Sequence, residues 1–136
     1  KRFSLSGIEI PRYGGACPRW NVYSAFSRPG VIQAAGSKMT NGEKYVCIAK
    51  TVEKGVGRYG QKKSMLSIGL GCEAKYAKEF VYTENLDLSD KKSELPIGVS
   101  CRTCDRLDCS QRAFPPLHKK FDVDINSRGV SVYVNE

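Results

Sequence analysis

The chain has 136 residues, the length of one ordinary domain, and it is long enough to bury a core without a metal ion to hold it folded. No run approaches the roughly 20 apolar residues that a membrane-spanning helix needs. Twenty-two Lys and Arg stand against 14 Asp and Glu, a net charge of +8. The positive charges are spread along the chain, so nucleic acid, a phosphate-bearing cofactor and acidic protein surfaces are all admissible partners.

In chain order, Phe3 to Ile10 reads as an extended start closed by Pro11, and Gly14-Gly15 as a turn. Trp20 to Phe26 carries apolar residues at helical spacing and stops at Arg28-Pro29-Gly30, a strong terminator. Trp20, Tyr23 and Phe26 are expected in the core, lining an apolar pocket being the other reading. Val31 to Met39 and Lys44 to Val52 are strand-like and flank Asn41-Gly42, the best hairpin signal in the chain. Gly55 to Gly60, followed by Lys62 and Lys63, is a basic loop. Met65 to Leu70 predicts a short apolar strand. Glu73 to Tyr82 predicts a helix with Ala74, Ala77, Phe80 and Val81 on one face. Ser89 to Glu94 is a polar linker. Phe121 to Ile125 and Val130 to Val134 alternate as strands. The expected fold is α+β: a mostly antiparallel sheet with about two helices, plus a Cys-rich metal-binding lobe. One regulatory domain over 1–136 then divides into an α+β core at 1–90, a Cys-rich segment at 91–117 and C-terminal strands at 118–136.

Six cysteines are present, three of them in Cys101-Arg-Thr-Cys104-Asp-Arg-Leu-Asp-Cys109. A Cys-x2-Cys pair puts two thiols on one tight turn, and a third can close around the same centre. Zinc sites and iron–sulfur clusters usually take four protein ligands, so one must come from elsewhere. Cys47 lies in the apolar run Tyr45 to Ala49 and reads as an inert core thiol. Cys17, between a glycine turn and Pro18, is undecided. Cys72 precedes a helical pattern, whose N-terminal partial charge favours a thiolate, and is the preferred fourth ligand, with His118 next. The other readings of these cysteines are a disulfide set and a redox Cys-x2-Cys pair. The charge-rich composition without a signal peptide suits a reducing cytosol instead. The chain begins at Lys1 rather than Met, as a fragment would. Both metals accept four thiolates, so spacing leaves zinc and iron–sulfur open. Arg102, Arg106 and Arg112 flank the cysteines and either offset thiolate charge or face solvent and Asp105 and Asp108.

The stretch 101–117, with Gln111-Arg-Ala-Phe-Pro-Pro-Leu117 after the cysteines, resembles the C-terminal domain of the short-chain fatty-acyl-CoA regulators, bacterial transcription factors of the helix-turn-helix XRE type. Gly14 to Asn21, Ala25 to Gly30, Leu70-Gly71-Cys72 with Val81-Tyr82, and Pro96 to Val99 carry the likeness further. The resemblance implies a sensory module in the cytoplasm, acyl-CoA as its signal, and control of short-chain fatty-acid catabolism. It implies a [4Fe–4S] cluster rather than zinc on Cys72, Cys101, Cys104 and Cys109. It also implies that DNA is contacted through an N-terminal domain absent here, since this chain has neither a helix-turn-helix pattern nor the His-Glu-x-x-His of a metallopeptidase-like domain. Lys54, Arg58, Lys62 and Lys63 are the electrostatic candidates for CoA phosphates. With one histidine in a Pro-rich loop, a nucleophile–base arrangement is hard to build, and an enzyme is not expected. The competing reading is a metal-stabilised interaction module or homodimer without a ligand of its own.

Overall fold

The computed structural model describes residues 15–55, 58–118 and 125–126. The extended start and most of the C-terminal strands expected from the sequence lie outside them. The chain divides into two compact units, Arg19–Pro96 in one and Lys1–Pro18 with Ile97–Glu136 in the other.

The larger unit is built on a four-stranded sheet in the order β3-β2-β1-β4. Strand β1 (Gln33–Lys38) and β2 (Lys44–Lys54) form the hairpin announced by Asn41-Gly42. Gly42 sits at φ 90°, a left-handed conformation that glycine adopts without a Cβ penalty, and the Asn41 side chain accepts the Glu43 N–H at 3.1 Å. Strand β3 (Ser64–Glu73) is antiparallel to β2, pairing Ile48 with Leu70 and Val46 with Cys72. Two-residue β4 (Leu95–Pro96) runs parallel to β1 at the opposite edge. The sheet is therefore mostly antiparallel. A proline is tolerated in β4 because it is an edge strand.

Side chains alternate across the sheet. On one face Tyr45, Cys47, Ala49 and Thr51 of β2 are all buried. Helix α1 (Asn21–Ser24), continued by a 3-10 turn at Ala25–Ser27, belongs to this face: the Asn21 side-chain amide donates to the Cys47 carbonyl at 2.9 Å. A Cβ on Gly69 would land within Val22 Cγ1, and one on Gly71 would stand 2.9 Å from Cys47 Sγ. The glycines of β3 thus admit α1 and the Cys47 thiol at close range.

Among the described residues a helical segment stands at each of the two predicted positions; the first does not bury the aromatic residues expected of it, and the second buries its expected face except for Val81. In the first, Asn21 and Ala25, four apart, are buried, whereas Tyr23 and Phe26 are largely exposed. The sheet offers a narrow, glycine-lined approach that small side chains fill and aromatic ones cannot. The second segment is 3-10 helix at Ala74–Glu79 and Val81–Thr83. Burial recurs every third residue, at Ala77 and Thr83 with Ala74 and Phe80 half-buried between them, and Val81 is turned out to solvent. A period of three replaces the 3.6 of the predicted face because side chains three apart eclipse in a 3-10 helix.

Candidate functional site

The cysteine segment opens the smaller unit. Backbone from Ile97 to Val99 leads into it, with Ile97 fully buried and the Val99 carbonyl accepting the Cys17 N–H at 3.0 Å. Cys101–Thr103 then makes a single 3-10 turn, closed by the Cys104 N–H on the Cys101 carbonyl at 3.4 Å. That turn is what a Cys-x2-Cys spacing produces when both thiols must leave one loop. Cys101, Cys104 and Cys109 are all buried, as is Cys17 of the same unit. All six cysteines of the chain are thiols, with no disulfide.

Arg112 organises this loop. Arg112 is 5% exposed, and its guanidinium reaches four backbone carbonyls: Cys101 at 2.8 Å, Cys104 at 3.2 Å, Phe114 at 3.5 Å, and Arg106. The Ala113 N–H next to it points at Cys101 Sγ, 3.4 Å away. A planar fork of five donors can gather carbonyls from four points of a loop in a way that a lysine ammonium cannot. A charge so buried is tolerated because its hydrogen bonds are made. The flanking cations therefore play different parts. Arg112 is a buried staple, while Arg102 lies over the Phe114 ring at 4.9 Å. Asp105 is paired with His118, Nε2 to Oδ1 at 2.9 Å. Sequence reasoning placed Arg112 near the cysteines but missed its role. The available signal was its position within Gln111-Arg-Ala-Phe-Pro-Pro, where an apolar, proline-closed loop leaves an arginine little room to reach water.

Cys72 belongs to the other unit, next to the end of β3 and half-buried. Its thiol pKa is raised, first by burial and then by the carboxylates of Glu79 and Glu73. A thiolate-favouring helix N-terminus was the sequence argument for this residue. The element that follows is a short 3-10 segment flanked by acidic side chains, so the local field runs the other way. Cys47 is the inert thiol expected: burial pushes it up to about 11, with a smaller contribution from Cys72. Among the described residues, no three His, Cys, Asp or Glu side chains are gathered around one point as a metal would require. The fit to a thiophilic metal lies in the donors themselves: three buried thiols on one nine-residue stretch, beside a buried cation that offsets thiolate charge. Lys54, Arg58, Lys62 and Lys63 share the loop end of the β2–β3 hairpin and are exposed, with Lys63 held by Glu53 at 2.9 Å.

A Mycobacterium tuberculosis transcriptional regulator of known structure superposes with a TM-score of 0.82 at 35% identity, covering 94% of this chain and 39% of that one. The HTH-type transcriptional regulator RamB of M. tuberculosis strain H37Rv is 44% identical over 98% of this chain. The propionyl-CoA carboxylase regulator of Cereibacter sphaeroides is 43% identical over 98%, and the M. tuberculosis HTH-type transcriptional regulator PrpR 39% over 93%. The chain belongs to the family of short-chain fatty acyl coenzyme A regulators, as their C-terminal domain, matching its pattern over residues 1–133. It spans 26 to 29% of the length of these curated relatives. By name they are regulators and not enzymes, in agreement with the reading of the sequence.

Proposed function

We propose that this chain is the C-terminal effector module of a cytoplasmic transcriptional regulator of short-chain acyl-CoA metabolism, and that DNA is contacted by a domain outside it. The observation that carries this reading is the family match over residues 1–133. The module holds a metal centre on Cys101, Cys104 and Cys109. Three buried thiols, drawn into one loop by a buried guanidinium, support this assignment. Cys72 is the fourth ligand favoured by sequence. Cys17 is the alternative favoured by its burial and by its place in the same compact unit as the other three. A [4Fe–4S] cluster is the group proposed, with zinc as the other occupant of the same donors. A cluster would make the module responsive to oxygen or redox state, whereas zinc would brace the loop. In either case Arg112 fixes the carbonyls of Cys101 and Cys104 and supplies the neutralising charge.

Metal analysis and a visible spectrum on protein purified without oxygen test the centre. Iron near about four per chain with broad brown absorption is expected for the cluster, and stoichiometric zinc in a colourless sample for the alternative. Cys101→Ala abolishes metal loading in both cases, and full loading in that variant would end the assignment. Metal lost in Cys72→Ala but kept in Cys17→Ala settles the fourth ligand for Cys72, and the reverse settles it for Cys17.

The same module is proposed to bind an acyl-CoA, its phosphates held by Lys54, Arg58, Lys62 and Lys63 on the hairpin loop. Titration calorimetry with propionyl-CoA should give heat that weakens with added salt and with Lys62→Ala and Lys63→Ala together. No heat at about millimolar ligand would place acyl-CoA recognition elsewhere in the longer protein.

A further inference from the structure

We propose that β3 is a dimerisation edge, along which two copies of this chain pair antiparallel about Ile68 to make one continuous sheet. The proposal does not rest on the metal or on the acyl-CoA, although Lys63 is also one of the proposed CoA-phosphate contacts. Strand β3 is ten residues long and lies at the edge of the sheet, and no strand among the described residues pairs with its outer side. Sheet edges of this length are normally blunted by charge, proline, a bulge or a covering segment. Between Ser64 and Cys72 there is no charged residue and no proline. The face turned away from α1 instead carries Leu66, Ile68 and Leu70, which are 44, 51 and 61% exposed.

Two observations point to a second copy rather than to another partner. The first is charge: a chain with net charge +8 repels its own kind over most of its surface, and the uncharged stretch of β3 from Ser64 to Cys72 is one where two copies can approach. The second is register. With Ile68 on a two-fold axis, position i of one copy faces position 136 − i of the other. Leu66 then faces Leu70 in both directions, and Met65 faces Gly71, a large residue against a small one. Beyond the apolar stretch, Lys63 of each copy stands opposite Glu73 of its mate, so both ends of the paired strands close with opposite charges once these side chains exchange their pairs with Glu53 and Lys75 for the new ones. A shift of two residues in either direction loses that match. The symmetry is isologous, the commonest arrangement for homodimers, and every even-numbered residue of both strands falls on the same face of the joined sheet. On the even face of β2, Ile48 and Val52 stand half-buried beside Leu70 and Leu66, with exposed Lys50 between them beside Ile68.

An interface made by one strand from each copy is at the small end of specific association, so a reversible dimer forming between about 10 µM and 1 mM is expected. Sedimentation equilibrium of the 136-residue chain measures it. Ile68→Lys places two ammonium groups on the axis and should weaken the dimer at least about tenfold. Circular dichroism should be unchanged, because the side chain is exposed in the monomer. Lys63→Glu should weaken the dimer, and Lys63→Glu with Glu73→Lys should restore it. A wild-type chain that stays monomeric at millimolar concentration overturns the proposal, as does a dimer indifferent to Ile68→Lys. Failure of the charge swap to restore what Lys63→Glu removes overturns the Ile68-centred pairing. Protection of the β3 amides from hydrogen exchange in a monomeric longer protein, but not in this chain, would give the edge to a neighbouring domain instead.

Discussion

Arg112 shows how one side chain can set the shape of a functional loop. Cys101, Cys104 and Arg106 would otherwise present three carbonyls to an interior with few donors, and the guanidinium answers all three. Each buried acceptor left without a partner costs about 1–3 kcal/mol. Arg112→Met should therefore lower stability by about 3–5 kcal/mol, within the range for removing a buried, hydrogen-bonded charge. Arg112→Lys should recover only part of that loss, since an ammonium is a point donor and cannot span three carbonyls. Urea unfolding of the metal-free chain measures both. A wild-type midpoint in Arg112→Lys would show that charge, and not the fork geometry, holds the loop. His118 offers a contrast. It pairs with an exposed Asp105, and so contributes little by the usual measure of surface ion pairs.

At the level of elements, β3 is shaped by what it leaves out. Gly69 and Gly71 stand where a Cβ would collide with Val22 and with Cys47 Sγ. Val22 is β-branched and cannot swing aside cheaply. Gly69→Ala should cost about 1–3 kcal/mol by overpacking, and pairing it with Val22→Ala should recover most of that loss. Thermal melts of the two single variants and the double read the coupling, and simple additivity would show that α1 yields instead. These glycines also mark the limit of what the sequence disclosed. Asn41-Gly42 announced its hairpin because the turn chemistry is local. Strand β2 was readable from its alternating, β-branched run, β1 as the other arm of the Asn41-Gly42 hairpin, β3 as an apolar run shorter than the ten residues it spans, and the cysteine loop from spacing alone. The α1 interface was not readable, because whether Asn21 and Ala25 or Trp20, Tyr23 and Phe26 face the sheet depends on glycines some 45 residues away. The 3-10 period of 74–83 was hidden for a similar reason, since Ala74, Ala77, Phe80 and Val81 fit a wider helical face equally well. Arg112 was visible as a charge near thiols, but its burial is a property of the folded loop.

Over the larger unit as a whole, titratable groups at several points set a pH window. On the acid side, Glu94 is held below its ordinary range by the hydrogen bond from Lys44, Glu43 by the Asn41 and Tyr45 side chains, and Asp87 by Ser89. A carboxyl depressed in the folded state contributes stability that is present above its unfolded pKa and disappears as pH falls through the folded one. Stability should therefore decline below about pH 4.5, with Glu94→Gln and Glu43→Gln each flattening the decline. On the alkaline side the sign is reversed. Cys47 is raised from 9.0 to about 11, and Cys72 and Tyr45 are also raised, each chiefly by burial. A thiol raised in the folded state is worth its full contribution below its unfolded pKa, and that contribution drains away as pH climbs toward 11. For Cys47 the loss is about 2–3 kcal/mol between pH 9 and 11. These groups cluster on the β2–β3 pair, so alkaline unfolding should begin at the edge of the sheet that carries the proposed dimer contact. Urea melts between pH 7 and 11, with chelator present, should show Cys47→Ala less stable at pH 7 but with a shallower fall above pH 9. A Cys47→Ala chain whose stability falls as steeply as the wild type would place the alkaline limit in groups outside this strand pair.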